Sequence, residues 1–539
     1  MGLNIYPDGD CGYYSYKHIN LYIGNKKHKI LIPLTNPNET LLEILRNQGL
    51  NISAPCGGNG TCGKCVIETN NGKCLACKTP LSVNVTDVWI EKINNEFNIV
   101  DVYESKVKIN PTRYKSLSKD KDKYEDEENG SNAYGIAIDI GTTTLVFELL
   151  EMSTGKRIAT FSQINSQVTY GADVISRIDQ ATKGAQDKLH AHIIEDIQTG
   201  VNALLKYIKY SSKIKYVVIA GNTTMLHLLL NYPCNTLGVA PYTPVSLDME
   251  RLNFDYGTFK CPTLILPGIS AFVGADIVSG LLCCGWSNVS GYNLLVDLGT
   301  NGEVALFSKN QILVASTAAG PAFEGGNISK GVGSVPGAIS KANYNPQNGV
   351  FSYETIKKAA MPRGGLGAAP PLSDGNCGSN FLAKNNVNPI GICGSGVVDI
   401  VAQLVQHNLI DETGRFVNGA DSIEIAPNIT FTQRDIREFQ LARSAICTGI
   451  KILTEGIPEI NKVFLAGGFG MNLNSTSILF PFENVIPVGN VSLGGCSQVL
   501  INEEQEDTLQ ELTKIAKEID LATHPQFNDL FMEYCSFNI

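Results

Sequence analysis

The sequence predicts a multidomain α/β protein. From Tyr134 onward, β-like apolar runs alternate with helical patterns, and that stretch carries an internal duplication. Ahead of it, five cysteines within 22 residues predict a separate metal-binding module. At 539 residues the chain exceeds the roughly 100–200 of a single domain. The expected division is a cysteine module at 1–105, a charged flexible linker at 106–133, and two related lobes at 134–290 and 291–539, facing one another across a cleft. The linker includes Arg113-Tyr-Lys-Ser-Leu-Ser-Lys-Asp-Lys-Asp-Lys-Tyr-Glu-Asp-Glu-Glu, too poor in apolar residues to form a core.

Composition narrows the classes of function. Acidic residues outnumber basic ones by 52 to 42, a net charge of −10, which disfavours nucleic acid or an anionic membrane as the main partner. No apolar run approaches the ~18–20 residues of a membrane span, and the start lacks the basic and apolar regions of a signal peptide. The expectation is a cytoplasmic protein, whose fifteen cysteines stay reduced rather than paired as disulfides.

The duplication is read from two motifs recurring in order. Ile136-Ala-Ile-Asp-Ile-Gly-Thr-Thr-Thr-Leu-Val-Phe matches Leu294-Leu-Val-Asp-Leu-Gly-Thr-Asn-Gly-Glu-Val-Ala, with Asp139 and Asp297 at equivalent places. Each is an apolar run, an Asp, a Gly-Thr turn and a second apolar run, hence a hairpin with a polar tip. A later strand end also recurs, Val217-Val-Ile-Ala-Gly-Asn and Val463-Phe-Leu-Ala-Gly-Gly. Helix-like runs rich in small residues follow, Phe272-Val-Gly-Ala-Asp-Ile-Val-Ser-Gly-Leu-Leu and Gly494-Gly-Cys-Ser-Gln-Val-Leu.

A phosphate tail needs backbone donors, hydroxyls and a carboxylate that holds magnesium, and the two hairpin tips offer these from both walls. Gly141, Gly299 and Gly302 allow close approach, while Thr142, Thr143, Thr144, Thr300 and Asn301 donate hydrogen bonds. Asp139 and Asp297 are the candidate holders of Mg2+ and its waters, and Glu303 is a candidate water-orienting base. Leu465-Ala-Gly-Gly-Phe-Gly-Met-Asn offers a backbone turn for adenosine through Gly467, Gly468, Phe469 and Gly470. Together these resemble the phosphate-1, phosphate-2 and adenosine motifs of the ASKHA superfamily (acetate and sugar kinases, Hsp70, actin), and the resemblance implies ATP as ligand.

The cysteine run is Cys56-Gly-Gly-Asn-Gly-Thr-Cys62-Gly-Lys-Cys65, with Cys74 and Cys77 following. Its glycines give positive-φ turns and let amides approach the sulfurs of a small inorganic core. Upstream, residues 20–33 read as a hairpin and 40–49 as a short helix with a glycine stop. A structural zinc site would use the same thiolates, but five residues in a glycine-rich first loop are atypical of zinc. The loop also fits GxGxxG and nearly fits a P-loop, without the strand-to-helix context either needs. Hairpin, helix and cysteine loop resemble the plant-type 2Fe–2S ferredoxins, a β-grasp fold. That resemblance implies Cys56, Cys62, Cys65 and Cys77 as cluster ligands, with Cys74 competing for the fourth place.

Ala315-Ser-Thr-Ala-Ala-Gly-Pro-Ala-Phe-Glu-Gly-Gly, Gly331-Val-Gly-Ser-Val-Pro-Gly-Ala-Ile, Gly391-Ile-Cys-Gly-Ser-Gly-Val-Val-Asp-Ile and Tyr170-Gly-Ala-Asp-Val-Ile-Ser-Arg-Ile complete the pattern. Joined to the ferredoxin-like module, they resemble the reductive activators of corrinoid proteins. The resemblance implies ATP-dependent transfer of one electron from the cluster to an inactive Co(II) corrinoid protein, restoring Co(I). It implies as partners that corrinoid protein and a low-potential donor such as a ferredoxin or reductase. The family's homodimer is carried as an expectation, although only about 28 residues separate module and lobes where relatives carry a dimer-forming segment. Two alternatives remain open: a redox activator like those of 2-hydroxyacyl-CoA dehydratases, and a non-catalytic, nucleotide-gated redox sensor. Cys283, Cys284, Cys393, Cys447 and Cys496 read as packing residues, and the acidic run from Glu503 as a solvated helix face.

Overall fold

The computed structural model describes residues 16–23, 26–33, 39–47, 52, 65–80, 85–90, 111–117, 133–208, 210–299, 301–356, 382–384, 388–467 and 476–537. Two compact units result: Met1–Asn95 with Ser166–Gln180, and Glu96–Asn165 with Ala181–Ile539.

The first unit contains β1 (Tyr16–Ile23), β2 (Lys26–Pro33), α1 (Leu41–Asn47), β3 (Val66–Thr69), β4 (Gly72–Leu75) and β5 (Asp87–Ile90). They form one sheet in the order β2-β1-β5-β3-β4, in which β1 and β5 run parallel and the other neighbours antiparallel. Thr40 and Glu43 start α1 as a reciprocal cap, Glu43 accepting from the Thr40 amide at 2.8 Å and Thr40 from the Glu43 amide at 3.3 Å. Apolar residues at 41, 42, 44 and 45 put one helix face into a core with Ile19, Leu21, Ile67 and Val88. This is the mixed sheet and helix of a ferredoxin-like module.

The second unit opens with α2 (Thr112–Leu117), then β6 (Tyr134–Ile140), β7 (Thr144–Glu151) and β8 (Lys156–Ile164). Next come α3 (Val174–Gln180, which groups with the first unit), α4 (Gln186–Leu205), β9 (Ile214–Gly221) and α5 (Thr223–Leu229). β10 (Glu250–Asp255), β11 (Lys260–Ile265) and α6 (Ala275–Cys283) complete the first lobe. The second lobe begins with β12 (Tyr292–Leu298), β13 (Gly302–Phe307) and β14 (Ile312–Thr317). After these come β15 (Ala338–Asn345), β16 (Val350–Ile356), β17 (Leu382–Lys384), β18 (Gly391–Ile392) and α7 (Gly394–Gln406). β19 (Ser422–Ala426), β20 (Ile429–Thr432), α8 (Gln433–Leu453), β21 (Ile460–Ala466) and β22 (Val485–Gly489) follow. The chain closes with α9 (Val491–Ile501), α10 (Gln505–Ile515), β23 (Ala516–Glu518) and α11 (Phe527–Tyr534).

The duplication is visible in the sheets. One has the order β10-β11-β9-β6-β7-β8, the other β22-β21-β12-β13-β14-β23. In each, a three-strand antiparallel meander is extended by parallel strands beside its first member, β9 on β6 and β21 on β12. Ile136, Ala137 and Ile138, like Leu294, Leu295 and Val296, are fully buried in succession, because both faces of these central strands are covered.

The helices α6 and α9, predicted from their small residues, pack on each other. A Cβ on Gly495 would lie 2.1 Å from the Ser279 carbonyl oxygen, and one on Gly280 would lie 2.9 Å from Val491 Cγ2. Glycine at these crossings therefore sets how closely the helices approach. All eleven residues of α9 are buried, which explains why it shows no polar face. Glu148 on β7 accepts from Ser497 of α9 and from Arg157 of β8, tying this helix to the first lobe although it follows the second in sequence.

Two expectations differ from what is seen. Part of the stretch read as a flexible tether is an anchored helix, α2. Its Arg113 is 3% exposed and pairs with Glu506, a residue of the acidic run read as a solvated face. The physical reason is that Arg113 and Glu506, 393 positions apart, leave water as a pair, while Glu503, Glu504 and Asp507 of the same run stay exposed as expected. Residues 118–132 lie outside the described residues. No helix among the described residues is long and apolar enough to cross a membrane.

Candidate functional site

The β3–β4 hairpin sets Val66 opposite Leu75, which brings the chain just before β3 alongside the turn just after β4. The Ala76 amide donates to the Cys65 carbonyl at 2.9 Å and closes that junction. Cys65 and Cys77, 1% and 5% exposed, then place their sulfurs 3.2 Å apart. An S–S bond is about 2.05 Å, so the two thiols stand side by side without a disulfide. Two soft donors at that spacing, held in an apolar pocket, suit a shared iron. Cys74 stands in the ladder opposite Ile67 and is half-buried. Cys56 and Cys62 lie outside the described residues.

In the first lobe, the tip between β6 and β7 is a tight turn, with the Gly141 amide donating to the Thr144 carbonyl at 2.9 Å. Asn165 holds the turn by donating to the Gly141 carbonyl at 2.9 Å, and Asn222 donates to Thr142 Oγ1 at 2.9 Å. Asn222 also caps α5, accepting from the Met225 amide. Gly274, at the start of α6, touches this cap: a Cβ there would sit 2.5 Å from the Thr223 nitrogen. The Asp139 carboxylate accepts from Ser492 Oγ at 2.7 Å and from Asn490 Nδ2 at 2.8 Å. Burial raises its pKa, and these two donors work against the rise.

The second lobe repeats the turn, with the Gly299 amide donating to the Asn301 carbonyl at 3.0 Å. Thr317 Oγ1 donates to the Gly302 carbonyl, and a Cβ at Gly302 would collide with that hydroxyl at 2.6 Å. Gly467 ends β21 with φ 92°, and a Cβ there would lie 3.3 Å from Asp297 Oδ1. The Ala-Gly-Gly strand end thus arrives beside the second aspartate. Thr300, Gly468, Phe469 and Gly470 lie outside the described residues.

Asp297 has acidic company. Burial, reinforced by the charges of Asp276, Asp139 and Glu324, pushes it up to about 7. Asp276, in the first turn of α6, is likewise pushed to about 7, by burial and then by Asp139. Glu303 stands opposite Asp297 in the β12–β13 ladder, and burial with Asp276 and Asp297 drives its pKa far up. The charges acting most strongly on Asp276, Asp297 and Glu303 are thus other carboxylates. Among the described residues, no three acidic or thiol groups form a complete metal cage. The arrangement suits Mg2+, which typically takes one or two carboxylates and fills its octahedron with phosphate oxygens and water.

Asp276 and Glu324 were quoted within motifs but not singled out as site residues. A signal for Asp276 existed: it takes the second position of α6, as Ser492 does in α9, and Ser492 contacts Asp139.

The comparisons with known proteins follow this geometry. Residues 31–86 match the 2Fe–2S iron–sulfur cluster binding domain, 134–288 the RACo middle region, and 291–539 the C-terminal domain of RACo, its ASKHA domain. The corrinoid activation enzyme RamQ of Eubacterium limosum is 31% identical over 444 residues, 74% of this chain and 69% of that protein. The chain belongs to the RACo family of reductive activators of corrinoid proteins. Another relative is the [Co(II) methylated amine-specific corrinoid protein] reductase of Methanosarcina barkeri. It is 24% identical over 424 residues, 74% of this chain and 76% of that protein. A solved structure described as a reductive activator for corrinoid, iron–sulfur protein shares the fold of this chain. It has TM-score 0.65 and 24% identity, covering 96% of this chain and 98% of the other.

Proposed function

We propose that this chain is an ATP-dependent reductive activase that delivers one electron to the Co(II) form of a corrinoid protein, giving Co(I). The observation that carries the proposal is the Cys65–Cys77 sulfur pair, in one chain with a duplicated carboxylate cleft. A 2Fe–2S cluster bound by Cys56, Cys62, Cys65 and Cys77 would supply a one-electron store near about −400 mV. What favours Cys77 over Cys74 as fourth ligand is its 3.2 Å separation from Cys65.

The electron leaves the reduced module, cobalt gains it, and a low-potential donor such as a ferredoxin or reductase restores the module. If cobalt's couple lies below that of the module, each ~59 mV uphill costs tenfold in equilibrium, which is where nucleotide turnover enters. Water attacks the terminal phosphorus, the bond to the bridging oxygen breaks, and ADP and phosphate leave. In this reading Asp297 and Asp276 hold Mg2+ with its waters, while Gly141, Thr142, Thr143, Thr144, Gly299, Thr300, Asn301 and Gly302 line the phosphates. Asp139 contributes from the opposite wall. Gly467, Gly468, Phe469 and Gly470 form the adenosine turn. Glu303, held protonated by burial, orients water only once a cation or a proton loss changes its charge. The protein works in the cytoplasm, as a homodimer if the family's assembly is kept.

The test is anaerobic mixing with a Co(II) corrinoid protein, a reductant and ATP. The Co(II) absorption band should disappear only when ATP is present, and Cys77→Ser should abolish the effect while Cys74→Ser keeps it. Loss of the band at equal rate without ATP, or persistence of activity in Cys77→Ser, defeats the proposal.

A further inference from the structure

We infer that Arg113 is a positioning residue through which the nucleotide site acts on the segment leading to the iron–sulfur module. An arginine 3% exposed is costly unless it is paired, and here Nε and Nη2 converge on one helix end. Its Nε donates to the Val499 and Leu500 carbonyls at 3.2 and 3.1 Å, and Nη2 donates to Val499 at 2.9 Å. Nη2 also pairs with Glu506 Oε1 at 2.5 Å, and the guanidinium lies 4.3 Å from the centre of the Tyr216 ring. Beside it, Thr112 Oγ1 donates to Asn502 Oδ1 at 2.8 Å and accepts from the Glu503 amide at 3.0 Å.

Val499 and Leu500 belong to the last turn of α9, whose carbonyls lack helical partners and whose dipole favours a cation. The first turn of the same helix holds Asp139 through Asn490 and Ser492. Eleven residues make α9 about 16 Å long. It is buried throughout and pinned to α6 at Gly495, so it transmits displacement rather than absorbing it. Asp139 at one end and Arg113 at the other therefore share one rigid element. In sequence, α2 follows β5 of the module by only twenty-one residues, 91–111. Whatever moves Asp139 when nucleotide binds or is hydrolysed is passed along α9 to Arg113 and α2.

The inference rests on the proposed function, and the experiment separates the two. In the full-length holoprotein, Arg113→Met removes the link, while Arg251 keeps the other Glu506 oxygen paired. ATP hydrolysis should stay within about twofold of wild type while Co(I) formed per ATP falls at least about tenfold. Arg113→Lys should recover part of that ratio. Amide hydrogen exchange across 112–117 should change on addition of Mg–ATP in wild type and not in Arg113→Met. A wild-type ratio in Arg113→Met, or unchanged exchange at 112–117 in wild type, overturns the inference. If Arg113→Met fails to fold, the exchange result in wild type decides alone. Wild type making no ATP-driven Co(I) defeats the functional reading instead, and leaves the exchange measurement standing as the test of Arg113.

Discussion

At the tip of the first lobe Asp139 accepts hydrogen bonds from Ser492 and Asn490, neutral donors in the first turn of α9. At the tip of the second lobe Asp297 is shifted most, after burial, by the charge of Asp276, which occupies the matching position in α6. The two corners share strand, turn and facing helix, yet that helix offers neutral donors to Asp139 and a carboxylate to Asp297. Duplication supplied the scaffold, and two differences at the start of the crossing helices, Asn490 and Ser492 against Gly274 and Asp276, make the two corners chemically unlike. On the proposed reading magnesium sits on the Asp297 side, where it would relieve the repulsion. On the Asp139 side it would displace hydrogen bonds worth about 1.5–3 kcal/mol each.

The largest expected effect is on turnover. Asp297→Asn should lower ATP hydrolysis roughly 10²–10³-fold, measured as phosphate release, because the charge that holds the cation is gone. An Asp139→Asn variant with the same loss and no other change would erase the distinction between corners.

The stabilities should move in opposite directions. In magnesium-free buffer Asp297→Asn should raise the melting temperature, since a like charge is removed from beside Asp276 and Glu324. Asp139→Asn should lower stability by about 1–3 kcal/mol. Its new amide would face Asn490 Nδ2, whose own oxygen already accepts from the Leu493 amide. Melting curves of the two variants give the comparison directly.

The pH dependence follows from the same corner. Burial and neighbouring carboxylates push Asp276 and Asp297 up to about 7 in the folded protein, against about 3.9 for a free aspartate. Between those values the folded chain holds protons that the unfolded chain has released, so this contribution to stability is full below about 4 and lost as pH rises to about 7. Thermal melts in EDTA should show that decline, and Asp297→Asn should flatten it. Mg–ATP should reverse it, binding more tightly as pH rises toward 7, by about tenfold per unit for each carboxylate deprotonated, and levelling off above 7. The smallest effect is expected at Gly467. With φ at 92°, Gly467→Ala costs about 1 kcal/mol and weakens nucleotide binding a few-fold, read by calorimetry.

The hairpins carrying Asp139 and Asp297 were legible because strand, turn and strand are consecutive, and their repetition made the two-lobed fold legible as well. The small-residue helices were legible as a pair for the same reason. Asp276 was not, since its importance lies in facing Asp297 from another element, and a lone acid after Gly-Ala reads as an ordinary helix start. Arg113 and Glu506 were misread more deeply: each sits in a charged, polar run, and only a contact across 393 residues turns them into a buried pair. Cys65 was legible from its glycine-rich loop and Cys77 from the ferredoxin resemblance, whereas the closeness of their sulfurs depends on the β3–β4 register, which spacing does not reveal.

The coupling of nucleotide to electron is tested most directly at fixed potential. With redox dyes holding the solution at the module's own potential, the Co(I) fraction of a corrinoid protein is read optically before and after ATP is added. The account predicts a rise above the equilibrium fraction that lasts while ATP remains and decays when it is spent. An unchanged fraction would contradict it.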